Sequence, residues 1–298
     1  LIPVSMLFDQ LPQFLLSGLT SGSIYALVAV GFCIIHNATG MVNFAQGEFV
    51  MLGAMIMISL TQDLGLSLPA AFVLSIAGAM LVGLFLERIP LGLARSRHIL
   101  ILVLITVGFS IAVRGAASLF WGKTARALTS FSSEAPLLLG NAVISRQALW
   151  ILFLTMAAVT LLHVFFHRTP VGQAIRAVAD NRRGAVLVGI PVARMVMVSF
   201  ALSAALGATA GILIAPITGM HYSAGVMLGL KGFAAAILGG YGHVWGAVAG
   251  GLLLGVLESL AAGFISSAYK DALAFLILLC VLWVRPSGLF GQRTLKRV

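Results

Sequence analysis

Charge is what this sequence has least of. Only 9% of its 298 residues are Asp, Glu, Lys or Arg, against about a quarter in a soluble domain. Hydrophobic residues make up 60% and the mean hydropathy is +1.10. No soluble core could use that much apolar sequence, so the chain reads as an integral membrane protein. Strand-like alternation is also missing from its long apolar runs, which excludes a β-barrel and leaves helices. The two cysteines, Cys33 and Cys280, both lie in apolar runs, so neither a disulfide nor a metal pair is expected. No His, Cys and carboxylate cluster has metal-ligand spacing, and no Ser/His/Asp set stands out, so no catalytic or metal site is expected. A Walker-type glycine loop with Lys and Ser/Thr is absent, which excludes ATP hydrolysis of that kind by this chain. No charged leader followed by a small-residue cleavage site is seen, so no cleaved signal peptide is expected.

What is present is a succession of apolar runs. A membrane span needs about 20 such residues. Runs fall near 11–35, 47–61, 68–86, 99–120, 147–166, 195–217, 226–238, 246–265 and 271–285. The run at 226–238 is short and fits a re-entrant or broken helix. The expectation is an all-α, polytopic helical bundle of eight or nine segments, some broken or re-entrant, forming one transmembrane domain over 1–298 with no soluble domain.

The formal net charge is +10. Scattered among membrane segments, it points to topology rather than to nucleic acid. Basic residues collect in cytoplasmic loops. They occur at Arg88, Arg95 and Arg97, at Arg168, Arg176, Arg182, Arg183 and Arg194, and in the tail at Arg293, Lys296 and Arg297. None precedes Leu11. The N-terminus is therefore expected outside and the C-terminus in the cytoplasm. Lys123, Arg126 and Arg146 run against this in the 121–146 loop, where loop length weakens the rule. Glycine, with 33 copies, recurs at small-xxx-small spacing, as in Gly18/Gly22, Gly207/Gly211, Gly246/Gly250 and Gly251/Gly255. Such positions let helix backbones approach closely in lipid.

Three stretches interrupt the apolar pattern. The first is HNATGMVNFAQGEF at 36–49, with polar groups but no Lys or Arg. Asn37, Asn43, Gln46 and Glu48 are costly in hydrocarbon unless paired or wetted. Either a broken helix lines a path for a polar solute, with Phe44 beside it, or a surface turn ends in a helix capped by Glu48. The second, GGYGHVWG at 239–246, offers Tyr241 and His243 to a solute, or interfacial aromatics and a loop histidine. Each half of the chain thus carries a helix, a Gly-rich polar break and a helix, a weak echo of the repeats seen in transporters. The third is the basic loop at 167–194. Period 3.6 puts Ile175, Val178, Ala179, Ala185, Val186 and Gly189 on one face, with Arg176, Asp180 and Arg183 largely elsewhere. Its small residues favour docking in a partner's groove over lying on lipid. Arg114 reads as a snorkelling residue, and Glu258, inside an apolar run, as a partner for a buried polar group or part of a path.

The order GLTSGSIYALVAVGF, MVNFAQGEFVMLGA, AIRAVADNRRGAVLVGI, LKGFAAAILGGYGHVWGAVAGGLLLGVLE resembles the permeases of branched-chain amino acid ABC importers, most of all the LivH-type subunit, from about Leu15 to Phe290. Gln46 stands where that family often has His. The resemblance implies a transport subunit of the prokaryotic inner membrane that is not itself an enzyme. It implies a homologous M-type permease as neighbour and two cytoplasmic ATPase subunits that bind ATP and Mg. A periplasmic or lipid-anchored solute-binding protein would deliver cargo. Residues 171–190, with Ile175, Arg176, Val178, Asp180, Arg182, Arg183 and Gly189, would couple to an ATPase. Asn43, Phe44, Gln46, Glu48, Tyr241 and His243 are the path candidates. Urea, short amides or aromatic acids remain alternative cargoes, and an ion-coupled transporter or channel an alternative class.

Overall fold

The computed structural model describes residues 10–94, 98–132, 135–139 and 142–291. Arg95, Arg97, Arg293, Lys296 and Arg297, on which part of the expected orientation rests, lie outside the described residues. Every expected apolar run is helical. The helices are α1 (Leu11–Thr39), α2 (Gln46–Ile58), α3 (Leu68–Leu86), α4 (Ile99–Trp121), α5 (Arg146–Arg168), α6 (Pro170–Asp180), α7 (Arg182–Leu187), α8 (Val192–Thr218), α9 (Ala224–Gly239), α10 (Val244–Phe264) and α11 (Lys270–Val284). Wider helical turns extend α2 over Ser59–Asp63 and α3 over Glu87–Leu91, the latter around Pro90. A short antiparallel hairpin, β1 (Leu137–Leu139) with β2 (Ala142–Ile144), pairs Leu137 with Ile144.

Among the described residues, seven helices are long and apolar enough to cross a membrane. The other two apolar runs are shorter. At a rise of 1.5 Å per residue, α2 is about 20 Å long and α9 about 24 Å, against about 30 Å of hydrocarbon. Helix α2 lies inside the bundle, whereas α9 buries one face and leaves Met227 and Leu230 exposed. The hydropathic window of α1 is 89% buried and that of α8 78%, whereas those of α3, α4, α5 and α11 are 22% or less. Thus α1, α2 and α8 form a core, with α9 and α10 packed on it. The peripheral helices turn Leu81, Leu119, Phe120, Phe153 and Trp283 outward, as a lipid-facing belt requires.

Small residues make the core possible. Lipid tails are as apolar as leucine, so helices associate through close packing rather than the hydrophobic effect. Helices α1 and α10 meet where Gly18 and Gly22 face Gly251 and Gly255. A methyl group on Gly255 would collide with the backbone of Gly22 and the Gly18 carbonyl. Helices α2 and α8 interlock in the same way: a Cβ on Gly211 would strike the Val50 carbonyl, and one on Gly53 the Ala208 backbone.

Two groups of contacts define the ends of the bundle. At one end, a cavity brings together Asn37 of α1, His163 and His167 of α5, Ile175 of α6 and Trp245 of α10. A second joins Thr39, Glu87, Ile99, Arg182 and Val192. At the opposite end Arg126 pairs with Asp63, Met220 exchanges backbone hydrogen bonds with Arg126, and Gln13 accepts from Val143 N–H.

Candidate functional site

The first polar break begins where α1 stops. Gly40 takes the left-handed conformation, φ 76°, and its N–H caps the His36 carbonyl. The chain then turns back into the bundle. Asn43 Oδ1 accepts from Ala45 N–H at 3.1 Å, and the Asn43 carbonyl accepts from Gln46 N–H at 3.2 Å. The depth of this turn is set by Gln46. Its Nε2 donates to the Ser203 carbonyl at 3.1 Å. The Ser203 hydroxyl shares its proton between Gln46 Oε1, at 2.6 Å, and the Gly31 carbonyl, at 2.8 Å. Gly31 lies two turns, about 12 Å, before the end of α1. Helix α2 therefore starts well inside the bundle. Its irregular backbone is buried in protein, which is how such backbone is tolerated at membrane depth. Gln46 and Asn43 are buried, and Gln46 spends its amide on fastening α2 to α8 and α1.

Phe44 and Glu48 sit differently. Both line a cavity of about 150 Å³ walled by Phe32 of α1, Val107, Ser110 and Arg114 of α4, and the Gly225–Phe233 face of α9. Phe44 is 40% exposed, its N–H donates to the Thr106 hydroxyl, and its ring lies 5.9 Å from that of Phe233. Glu48 is buried. Ser110 donates to its Oε1 at 2.7 Å and Arg114 Nε stands 3.3 Å from the same oxygen. Its second oxygen, Oε2, has no hydrogen-bond partner among the described residues. The cavity owes its floor to glycine: Gly47 and Gly225 touch backbone to backbone, and a Cβ on either would meet the other's carbonyl.

The second break faces the far end of the first. Asn37 Nδ2 donates to the Gly242 carbonyl at 2.8 Å, and the His36 and Tyr241 rings lie 4.5 Å apart. Gly240 and Gly242, at φ 103° and 93°, supply the backbone conformations that the turn needs. His243 caps α10, accepting from Gly246 N–H through Nδ1 at 2.9 Å, and stacks on Phe290. Tyr241 packs against Phe233, at the edge of the Phe44–Glu48 cavity wall, while its hydroxyl is buried without a partner among the described residues.

The basic loop forms an elbow of two helices rather than one. Thr169 caps α6 by accepting from Gly172 N–H, Pro170 opens it, and Asn181 both ends α6 and caps α7 through Gly184 N–H. Ile175, Val178 and Ala185, expected on a docking face, are buried against the chain's own bundle. Arg176, Asp180, Arg182, Arg183 and Gly189 are exposed, and so is an apolar tip: Val186, Leu187 at 87% and Val188 at 76%.

Sequence reasoning passed over Lys231. Its ammonium lies 2.8 Å from Glu258 Oε1 and 2.7 Å from Asp271 Oδ1, and donates to the Tyr25 hydroxyl at 3.2 Å. Tyr25 in turn donates to Glu258 Oε2 at 2.9 Å. One ion cluster thus joins α1, α9, α10 and α11. A lone lysine in one apolar run and a lone glutamate in another were the available signals. Arg114 was expected to snorkel; instead it turns toward Glu48, because the neighbouring helix α2 offers it a carboxylate 3.3 Å away.

Comparison with known proteins places this architecture. Residues 14–282 match the family model described as the permease component of branched-chain amino acid transport systems. The high-affinity branched-chain amino acid permease protein LivH of Escherichia coli K12 is 36% identical, over 96% of this chain and 97% of its own. BraD of Pseudomonas aeruginosa, with the same description, is 36% identical over the same shares. The autoinducer 2 import permease LsrC of Shigella flexneri is 28% identical over 88% of this chain and 76% of its own. Among solved structures, PsaBC from Streptococcus pneumoniae in complex with Fab superposes with a TM-score of 0.54 over 95% of this chain and 97% of that one. At 12% identity it bears on the fold alone. With nine apolar helices among the described residues, a buried polar break between two of them, and relatives matched over nearly its whole length, this chain belongs to the permease components of branched-chain amino acid transport systems.

Proposed function

We propose that the chain forms one half of the translocation path of an ATP-driven importer in a prokaryotic inner membrane. A homologous M-type permease completes the path. Two ATPase subunits bind ATP and Mg at the end that carries the elbow, and a periplasmic or lipid-anchored binding protein delivers cargo at the other. The N-terminus is then outside and the C-terminus cytoplasmic. Branched-chain amino acids are the cargo, by analogy with the relatives' names. The chain contributes a gate and a lever. The gate is the mid-bundle turn at 40–48 with its cavity. The lever is the α6–α7 elbow, which receives the motion of the ATPase subunits.

The observation that carries this reading is the elbow itself. Ile175, Val178 and Ala185 root it in the bundle, while Val186, Leu187 and Val188 stand free beside Arg182 and Arg183. An apolar tip ringed by cations, rigidly fixed to the core, fits a groove on a partner. The test is import into proteoliposomes holding the whole complex. Uptake is expected only with ATPase subunits and nucleotide. Arg182→Glu together with Arg183→Glu should depress cargo-stimulated ATP hydrolysis without unfolding the permease. Import by this chain with no nucleotide supplied would end the proposal in favour of a channel or secondary transporter.

A further inference from the structure

The cavity beside the first break holds two opposite charges, Glu48 and Arg114. Glu48 is buried, with Oε1 held by Ser110 and Oε2 lacking a partner among the described residues. Arg114 stands at the rim, its side chain 30% exposed. Its Nε is 3.3 Å from Glu48 yet makes no aligned hydrogen bond, and its outer nitrogens donate to no described residue. This is an ion pair only half used. A buried carboxylate oxygen without a donor is costly, and a guanidinium fork is shaped for a carboxylate. Opposite the charges, Phe32, Phe44, Leu230 and Phe233 form an apolar wall.

We infer that this cavity is a transient binding site for the zwitterionic head of an α-amino acid. Arg114 takes the carboxylate, Glu48 Oε2 takes the ammonium, and the phenylalanine wall takes an apolar side chain. The inference rests on the reading of the chain as an amino-acid permease and deepens it. Charge balance is what makes the site selective. A zwitterion can insert between Glu48 and Arg114 and give each a new partner, so no uncompensated charge enters a low-dielectric interior. A cargo with net charge would leave one. Neutral urea or a short amide would meet an ion pair it cannot replace. The site is small, at about 150 Å³, and makes few polar contacts, which suits a path that must release what it binds.

The test uses the complete transporter with its partner subunits in lipid vesicles. Phe44→Cys in a Cys280→Ser background puts a thiol on the cavity wall, since native Cys33 is buried. L-leucine is expected to slow labelling by a hydrophilic thiol reagent. Isoamylamine (the ammonium alone), 4-methylpentanoate (the carboxylate alone) and urea are expected not to. In the native-sequence transporter, Glu48→Gln and Arg114→Gln should each lower leucine import about tenfold, the scale of one lost charge-assisted hydrogen bond. The double variant should stay low. A merely structural ion pair predicts the reverse, since removing both charges would relieve the unpaired one. Recovery of import in the double variant, or equal protection by leucine and 4-methylpentanoate, would therefore overturn the inference. If the unsubstituted transporter fails to import leucine at all, the amino-acid reading falls first and the inference with it, and the two failures are told apart before any substitution is made.

Discussion

Lys231 has no acidic neighbour on its own helix; its partners come from α10 and α11, with the Tyr25 hydroxyl from α1. With Lys231 and Glu258 side chains only 7% and 8% exposed, each charge is tolerable only because the other is there. Lys231→Met removes the cation and leaves Glu258 buried beside another carboxylate. Breaking a buried pair in this way costs about 3–5 kcal/mol, whereas replacing both partners costs far less. The detergent-solubilised Lys231→Met protein should therefore melt well below the unsubstituted one, and adding Glu258→Gln should restore much of the loss. A double variant that melts no higher than the single would show the cluster to be unimportant for stability. Glycines at the crossings are as constrained as these charges. Gly211 cannot accept a Cβ without displacing the Val50 carbonyl, whereas Gly115, on lipid-facing α4, has open space around it.

At the scale of elements, much was legible because a helix that crosses hydrocarbon must announce itself by length. The shortness of the run at 226–238 suggested a re-entrant or broken helix, yet α9 is continuous from Ala224 to Gly239 and links the end that holds Met220 to the end where Gly242 meets Asn37. The polar residues at 36–49 pointed to the broken entry into α2, since such groups need either water or partners. What stayed illegible was pairing between distant elements. Nothing in the order of residues says that Gln46 meets Ser203, or that Arg114 turns to Glu48 instead of the membrane surface. The elbow shows the same limit. Its amphipathic period was plain, but period alone does not say whether the apolar face meets a partner or its own chain. In the structure α5 and the bundle beneath claim Ile175 and Val178, and the free apolar surface is the α7 tip. The two surfaces should respond differently to a charge. Leu187→Asp should leave the melting temperature unchanged and sharply reduce nucleotide-driven import. Ile175→Asp should lower the melting temperature and the yield, because it buries an unpaired carboxylate. Equal thermal destabilisation by both would mean that the tip is packed after all and would remove it as a coupling surface.

For the whole molecule, the distribution of charge now has a geometry. One end of the bundle gathers Arg88, Arg168, Arg176, Arg182, Arg183, Arg194 and Arg285. The other has Lys123, Arg126, Arg146 and Lys270. The loop cations that seemed to contradict the topology therefore remain the minority, and one of them is neutralised. Arg126 grips Asp63 with both terminal nitrogens, at 3.1 and 2.6 Å. These hydrogen bonds hold the Asp63 carboxyl below its ordinary pKa, so the pair is intact above the usual carboxylate range and lost only as pH falls through that lowered value. Positive residues are retained on the cytoplasmic side during insertion, so the elbow end should be cytoplasmic. A fluorescent protein that folds only in the cytoplasm, fused after Gly291, should fluoresce. Alkaline phosphatase, active only outside, should be active when inserted near Lys123 and inactive near Val188. The opposite pattern would put the elbow on the wrong side for any ATPase.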